Sequence, residues 1–263
     1  MNLAIGSAPE RAVAPPAPPR VSERAILRLG IALAAAFMAA SALSGLLSIG
    51  ALHGWVATHL ALAGAATVAI GTFMPHFAVT LAGTRPERWW VRLAGVLVLA
   101  AGMATVALGR PLAGSGVAAV GGMLVLLGVG ITAWVSFAPM RSGLARRHPV
   151  VQVAYGLALA DLALGASLAV GMLLGWPPVA GAWVALKPAH AWLNVFGFLS
   201  TTVGATLISL YPPMLGARIR PQPAMLVAMG GLAIGAPMAA SGYAAGWPPL
   251  AAAGGSVTLV GAV

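Results

Sequence analysis

Seven long apolar runs dominate the chain, at roughly 26–49, 55–81, 91–109, 114–138, 150–175, 189–213 and 223–245. A helix needs about 20 apolar residues to cross the hydrocarbon core of a bilayer, and each run is close to that length or longer. An eighth run, "PPLAAAGGSVTLVGAV", stops at Val263 short of a span. The chain therefore reads as truncated, or as the membrane part of something longer. Only short turns separate the runs, so residues 23–263 predict one all-α, polytopic bundle of seven to eight transmembrane helices. Residues 1–22, with "APPAPPR", predict a disordered cytoplasmic tail. No apolar signal-peptide core lies near the start, which makes the first run a retained anchor.

Composition supports lipid as the solvent. Of the 263 residues 60% are hydrophobic and 7% charged, against about 25% charged in soluble domains. The acids are four: Glu10, Glu23, Glu87 and Asp161. The absence of cysteine excludes thiolate metal sites, iron–sulfur clusters and disulfides. The net charge of +10 does not indicate nucleic acid, because the basic residues alternate with apolar runs instead of lining one face. They act as topology signals. With the N-terminus in the cytoplasm, twelve of the fourteen Lys and Arg residues fall on the inner side, leaving Arg110 and Lys187 in outer turns. Trp55, Trp176, Trp183 and Trp247 then mark the outer interface, and Trp89 and Trp90 the inner one. A multi-pass protein of the plasma (inner) membrane follows, with the lipid bilayer as its first partner.

This topology gives the histidines depths. His59 lies about one turn inside the second run, and His190 opens the sixth, so both sit at similar outer depth on different helices. That arrangement suits axial ligation of a b-type haem, which needs neutral imidazoles and small residues where helices stand apart. Ala63, Gly64, Ala65 and Ala66 follow His59; Gly197, Ser200 and Gly204 follow His190. Asn194 shares the face of His190 four residues on and is a candidate cofactor contact. The plain alternative is that each histidine only meets water at the interface. His53 is read that way, and His148 as a solvated loop residue. His76 lies about 25 Å below His59 along the axis, so it cannot share that site; "MPHF" reads as a kink, with His76 on a freed carbonyl. Asp161 falls mid-span, where a bare carboxylate is expensive, and is a candidate for a proton or ion path or for a hydrogen bond to a neighbouring helix. Tyr155, on another face, is not its obvious partner. "GAP" at 235–237 reads as a break in the seventh helix. "GRPLAGSG" at 109–116 reads as a turn. Paired carboxylates, a phosphate loop and a nucleophile elbow are all missing from the sequence, so a hydrolase or kinase has no support.

"HAWLNVFGFLSTTVGATLISLYPPML" resembles the histidine-led "HLNLLGF…GTL…P" helix in relatives of haem–copper oxidase subunit I, in the cbb3-type and nitric-oxide-reductase-like branch. "LHGWVATHLALAGAATVAIGTFMPHF" is similar to the earlier helix that carries a low-spin haem histidine there. The likeness extends to actinobacterial-type proteins in which the membrane part runs on into a copper-oxidase-like module. It covers two helices and implies haem b on His59 and His190. The family's active core needs several more histidines, including an adjacent pair that this chain lacks. The resemblance thus implies no binuclear centre; one haem, a copper site or the bare scaffold is what remains.

The histidine-bearing segments also resemble each other, since "TLAGTRP" ends the first at Pro86 and "MLGARIRP" the second at Pro221, in the manner of an old duplication. The sequence leaves three readings. The first is a redox module, an oxidoreductase component if an enzyme at all, meeting an electron-donor or copper protein at the outer face. The second is a transporter or channel with Asp161 in its path. The third is a non-catalytic scaffold.

Overall fold

The structure is a computed structural model that describes residues 21–47, 53–139, 149–216 and 223–263. The tail expected over residues 1–22 falls almost wholly outside the described residues, as do His148 and the side chain of His53. The described chain is helical throughout, with no strand among the described residues. Helix α1 is Val21–Leu47. Helix α2 runs unbroken through His53–Thr58, His59–Ala66 and Thr67–Ala82. Helices α3, α4 and α5 are Trp89–Ala113, Ser115–Phe137 and Pro149–Leu173. A one-turn helix, Pro177–Ala180, leads to α6, which runs through Trp183–Trp192, Leu193–Ser200 and Thr201–Met214. Helices α7, Pro223–Ala244, and α8, Pro248–Ala262, complete the order. Seven of these are long and apolar enough to cross a membrane. Leu43, Leu127, Leu164, Leu207, Ile234 and Leu259 are exposed on the outer surface, as a lipid-facing wall requires.

Three boundaries depart from the sequence reading. Helix α3 continues through Arg110 and Pro111 to Ala113, and Gly114 alone separates it from α4. At φ 93° that glycine adopts a backbone closed to other residues, so one position reverses the chain where a longer turn was expected. Helix α6 starts at Trp183, so Lys187 lies within it and His190 sits about two turns inside, not at its mouth. Proline at 188, the sixth residue of this helix, has no N–H to donate to the Val184 carbonyl four residues back. Helix α7 passes unbroken through "GAP". Ser241 donates to the Pro237 carbonyl, and Gly235 serves close packing on α8 instead of a hinge.

The helices form two groups of four, α1–α4 and α5–α8, joined chiefly through α4 against α5. Each group has the same order: a long helix, a histidine-bearing helix, then a tight glycine-packed hairpin. His53 and His190 are each followed two residues later by Trp (Trp55, Trp192) and 22 later by Pro (Pro75, Pro212). In that register His190 matches His53, not His59.

The hairpins close by backbone contact. A methyl on Gly121 would lie 2.6 Å from the Val106 nitrogen and 2.9 Å from the Gly102 carbonyl. One on Gly231 would lie 2.6 Å from the Gly261 Cα. Lipid tails supply no hydrophobic drive between helices, so dispersion at such close approach is what holds them together.

Gly121→Ala should therefore destabilise the protein by about 1–3 kcal/mol, seen as an earlier unfolding transition in SDS titration. Gly130→Ala, with open space around it, should leave stability unchanged or raise it by up to about 1 kcal/mol. Equal transitions for the two variants would remove close backbone approach from the account.

Candidate functional site

Two stretches wind as π-helix: His59–Ala66 in α2 and Leu193–Ser200 in α6. A π turn bonds five residues on instead of four and recurs at functional sites. Polar side chains follow the same register. Ser200 donates to the Val195 carbonyl at 3.0 Å and Thr201 to Phe196 at 3.2 Å, each five residues back. In α2, Thr67 reaches Leu62 at a longer 3.5 Å. Ordinary turns elsewhere place such bonds four residues back, as for Thr72 to Val68 at 2.7 Å. Sequence periodicity gave no sign of either π stretch.

His59 opens the first of these stretches and His190 lies three residues before the second, both half-buried. Nδ1 of His59 donates to the Trp55 carbonyl at 2.8 Å, and Nδ1 of His190 donates to the Gly165 carbonyl at 2.8 Å. A carbonyl can only accept, so the neutral ring is fixed in the tautomer whose lone pair is on Nε2. Neither Nε2 makes a hydrogen bond among the described residues. The two rings come from different helix groups, His59 from α2 and His190 from α6. His59 stacks on Trp55 at 4.0 Å between centroids, and the Arg110 guanidinium lies over the same indole at 5.0 Å. Arg110, read from sequence as a turn residue, thus completes a stack that fixes the His59 ring. Asn194 does share the face of His190: its amide donates to the His190 carbonyl at 2.6 Å and lies 3.1 Å from Nδ1.

The small residues expected beside a flat cofactor have other uses. A methyl on Gly64 would lie 2.5 Å from the Phe37 ring of α1. Gly197 receives the Asp161 side chain, and Gly204 faces Leu232 and Met229. They let helices approach; they do not hold helices apart. The donor set is two neutral imidazoles, a ligand type that could hold a haem iron. Among the described residues no group of three or more His, Asp or Glu forms a metal cluster.

Asp161 is buried mid-helix in α5 at 5% exposure, and its Oδ2 has no hydrogen-bond partner among the described residues. The neighbouring Thr or Tyr bond that the sequence allowed is not made. Tyr155 instead shares a 2.9 Å hydrogen bond with Thr206 of α6.

His76 differs from its expected role. Glu23 of α1 accepts both from Nδ1 of His76 at 3.1 Å and from Nη1 of Arg92 at 3.0 Å. The freed-carbonyl contact is replaced by this three-helix cluster, because a carboxylate is a stronger acceptor than a carbonyl. Arg92, 5% exposed, was read from sequence only as a topology charge. Glu23→Ala leaves its guanidinium buried without a carboxylate and should cost about 3 kcal/mol, low in the range for broken buried pairs because Glu23 is part-exposed. Glu23→Leu combined with Arg92→Met should cost less, as thermal unfolding in detergent would show.

Neither a model of a known protein family nor a curated protein matches the sequence.

Proposed function

We propose that the protein is a membrane-embedded redox module holding one haem b between His59 and His190, at the outer face of a plasma membrane. The observation that carries this reading is the matched pair of imidazoles, each with Nδ1 bound to a backbone carbonyl and Nε2 available for iron. Haem, when bound, supplies a one-electron iron couple that the protein alone lacks. The chain's own residues orient the ligands. Trp55 and Arg110 fix the His59 ring by stacking, while Gly165 and Asn194 fix the position of His190. The resemblance of α2 and α6 to helices of haem–copper oxidase subunit I adds to the reading. An electron-donor or copper protein at the outer face would be the partner.

The test is spectroscopic. Purified in mild detergent from a haem-replete host, the protein should show a sharp α-band on dithionite reduction, with one haem per chain. His59→Ala and His190→Ala should each abolish the band, and Asp161→Asn should keep it. A colourless, well-folded preparation would overturn the haem reading. Stoichiometric copper in that preparation would redirect the same histidines to a copper site.

A further inference from the structure

Hydroxyls in these helices usually rest on their own backbone. Thr72, Thr105, Ser167 and Ser209 each donate to the carbonyl four residues back, at 2.7–2.8 Å. Two buried side chains, one on α5 and one on α6, break that habit. Asp161 Oδ2 and Thr202 Oγ1 have no hydrogen-bond partner among the described residues, at 5% and 4% exposure for the two residues. An unmatched buried polar atom is destabilising, so two on helices packed together call for a use.

The levels along the seam follow from three cross-helix pairs. Asn194 packs on Gly165, Gly197 packs on Asp161, and Thr206 bonds Tyr155. Thr202 lies between Gly197 and Thr206 in sequence, so its level is between those of Asp161 and Tyr155. Polar groups thus follow one another along α6 from His190 and Asn194 to Thr202, Thr206 and Ser209. That stretch spans roughly 28 Å at helical rise, most of the hydrocarbon core. An ionised carboxylate at the depth of Asp161 is expensive, so any charge it takes must be matched by a proton or a cation arriving on Oδ2. The titratable groups on the elements packed against α5 are few. Helix α6 brings Lys187, His190 and Tyr211, α7 brings Tyr243, and α4 brings none. Tyr155 is the other titratable group on α5. Nothing in this set supplies a second acid to hold a metal ion with Asp161, whereas hydroxyls pass protons.

We propose that the α5/α6 seam conducts protons across the membrane, with Asp161 as its central relay. One proton reaches Oδ2 from the His190 side, and one leaves toward Thr202 and the Tyr155–Thr206 pair. The carboxyl group is regenerated, no electrons move, and no co-reactant is consumed. The path needs no occupant at His59 and His190, so it stands or falls apart from the haem reading.

The test uses the full chain in liposomes containing a pH-sensitive dye, driven by a potassium diffusion potential set with valinomycin. Wild type should move protons faster than protein-free liposomes. Asp161→Asn, nearly isosteric, should fall to the protein-free rate while keeping its helical circular dichroism and its elution volume. Asp161→Glu should retain part of the flux, and Thr202→Val should slow it several-fold. Wild-type flux no faster than protein-free liposomes would overturn the proposal. So would an Asp161→Asn variant as fast as wild type, or a flux that follows a sodium gradient instead of the proton gradient.

Discussion

Hydrocarbon offers no hydrogen bonds, so every backbone group in a spanning segment must be satisfied along its own helix or by a neighbouring side chain. This one constraint makes the chain a bundle of helices. It also explains why the two π stretches are tolerable. A π turn displaces the usual pairing and leaves carbonyls exposed to competition. In α6, Ser200 and Thr201 lie where they can donate five residues back, at 3.0 and 3.2 Å. The polar side chains of this helix therefore support an irregular backbone that lipid would otherwise forbid.

With the backbone satisfied internally, helix pairing rests on shape. Glycine supplies the close approach in both hairpins, at Gly102 and Gly121 in one and at Gly231 and Gly261 in the other. The rigid hairpins leave α2 and α6 as the helices that carry chemistry. Neither is packed edge to edge with the other; each brings its histidine from its own group. The Glu23, His76 and Arg92 cluster fastens the opposite end of α1, α2 and α3.

The spans were legible because 20-residue apolar runs have one stable solution in a membrane. Alternation of direction put His59 and His190 at one depth in the sequence reading; that α6 begins at Trp183, about two turns before His190, was not legible. Asn194 was placed correctly because four residues is one helical turn. What escaped was whatever depends on contacts between distant residues. Glu23 lies 53 residues from His76 and 69 from Arg92 in sequence, and no local pattern joins them. The π stretches escaped because they shift helical phase without a composition signal. The glycines beside the histidines were visible but misread, since a glycine that separates helices and one that joins them look alike until the partner is known.

The two groups also differ in a way that bears on function. In each, the long helix and the histidine-bearing helix interlock through reciprocal glycines. Gly30 of α1 receives Thr72 of α2, and Gly64 of α2 receives Phe37 of α1. Gly165 of α5 receives Asn194 of α6, and Gly197 of α6 receives Asp161 of α5. As packing, the lock needs only a side chain of suitable volume, and Phe37 shows that an apolar one serves. Thr72 satisfies its hydroxyl on its own helix. In the second group the side chains received by the glycines are an amide and an acid, and the acid keeps an oxygen without a partner. Packing does not require that arrangement, and lipid penalises it. The polar seam between α5 and α6 is thus a feature of the fold that stability alone leaves unexplained. It begins at the same histidine, His190, that anchors the candidate site.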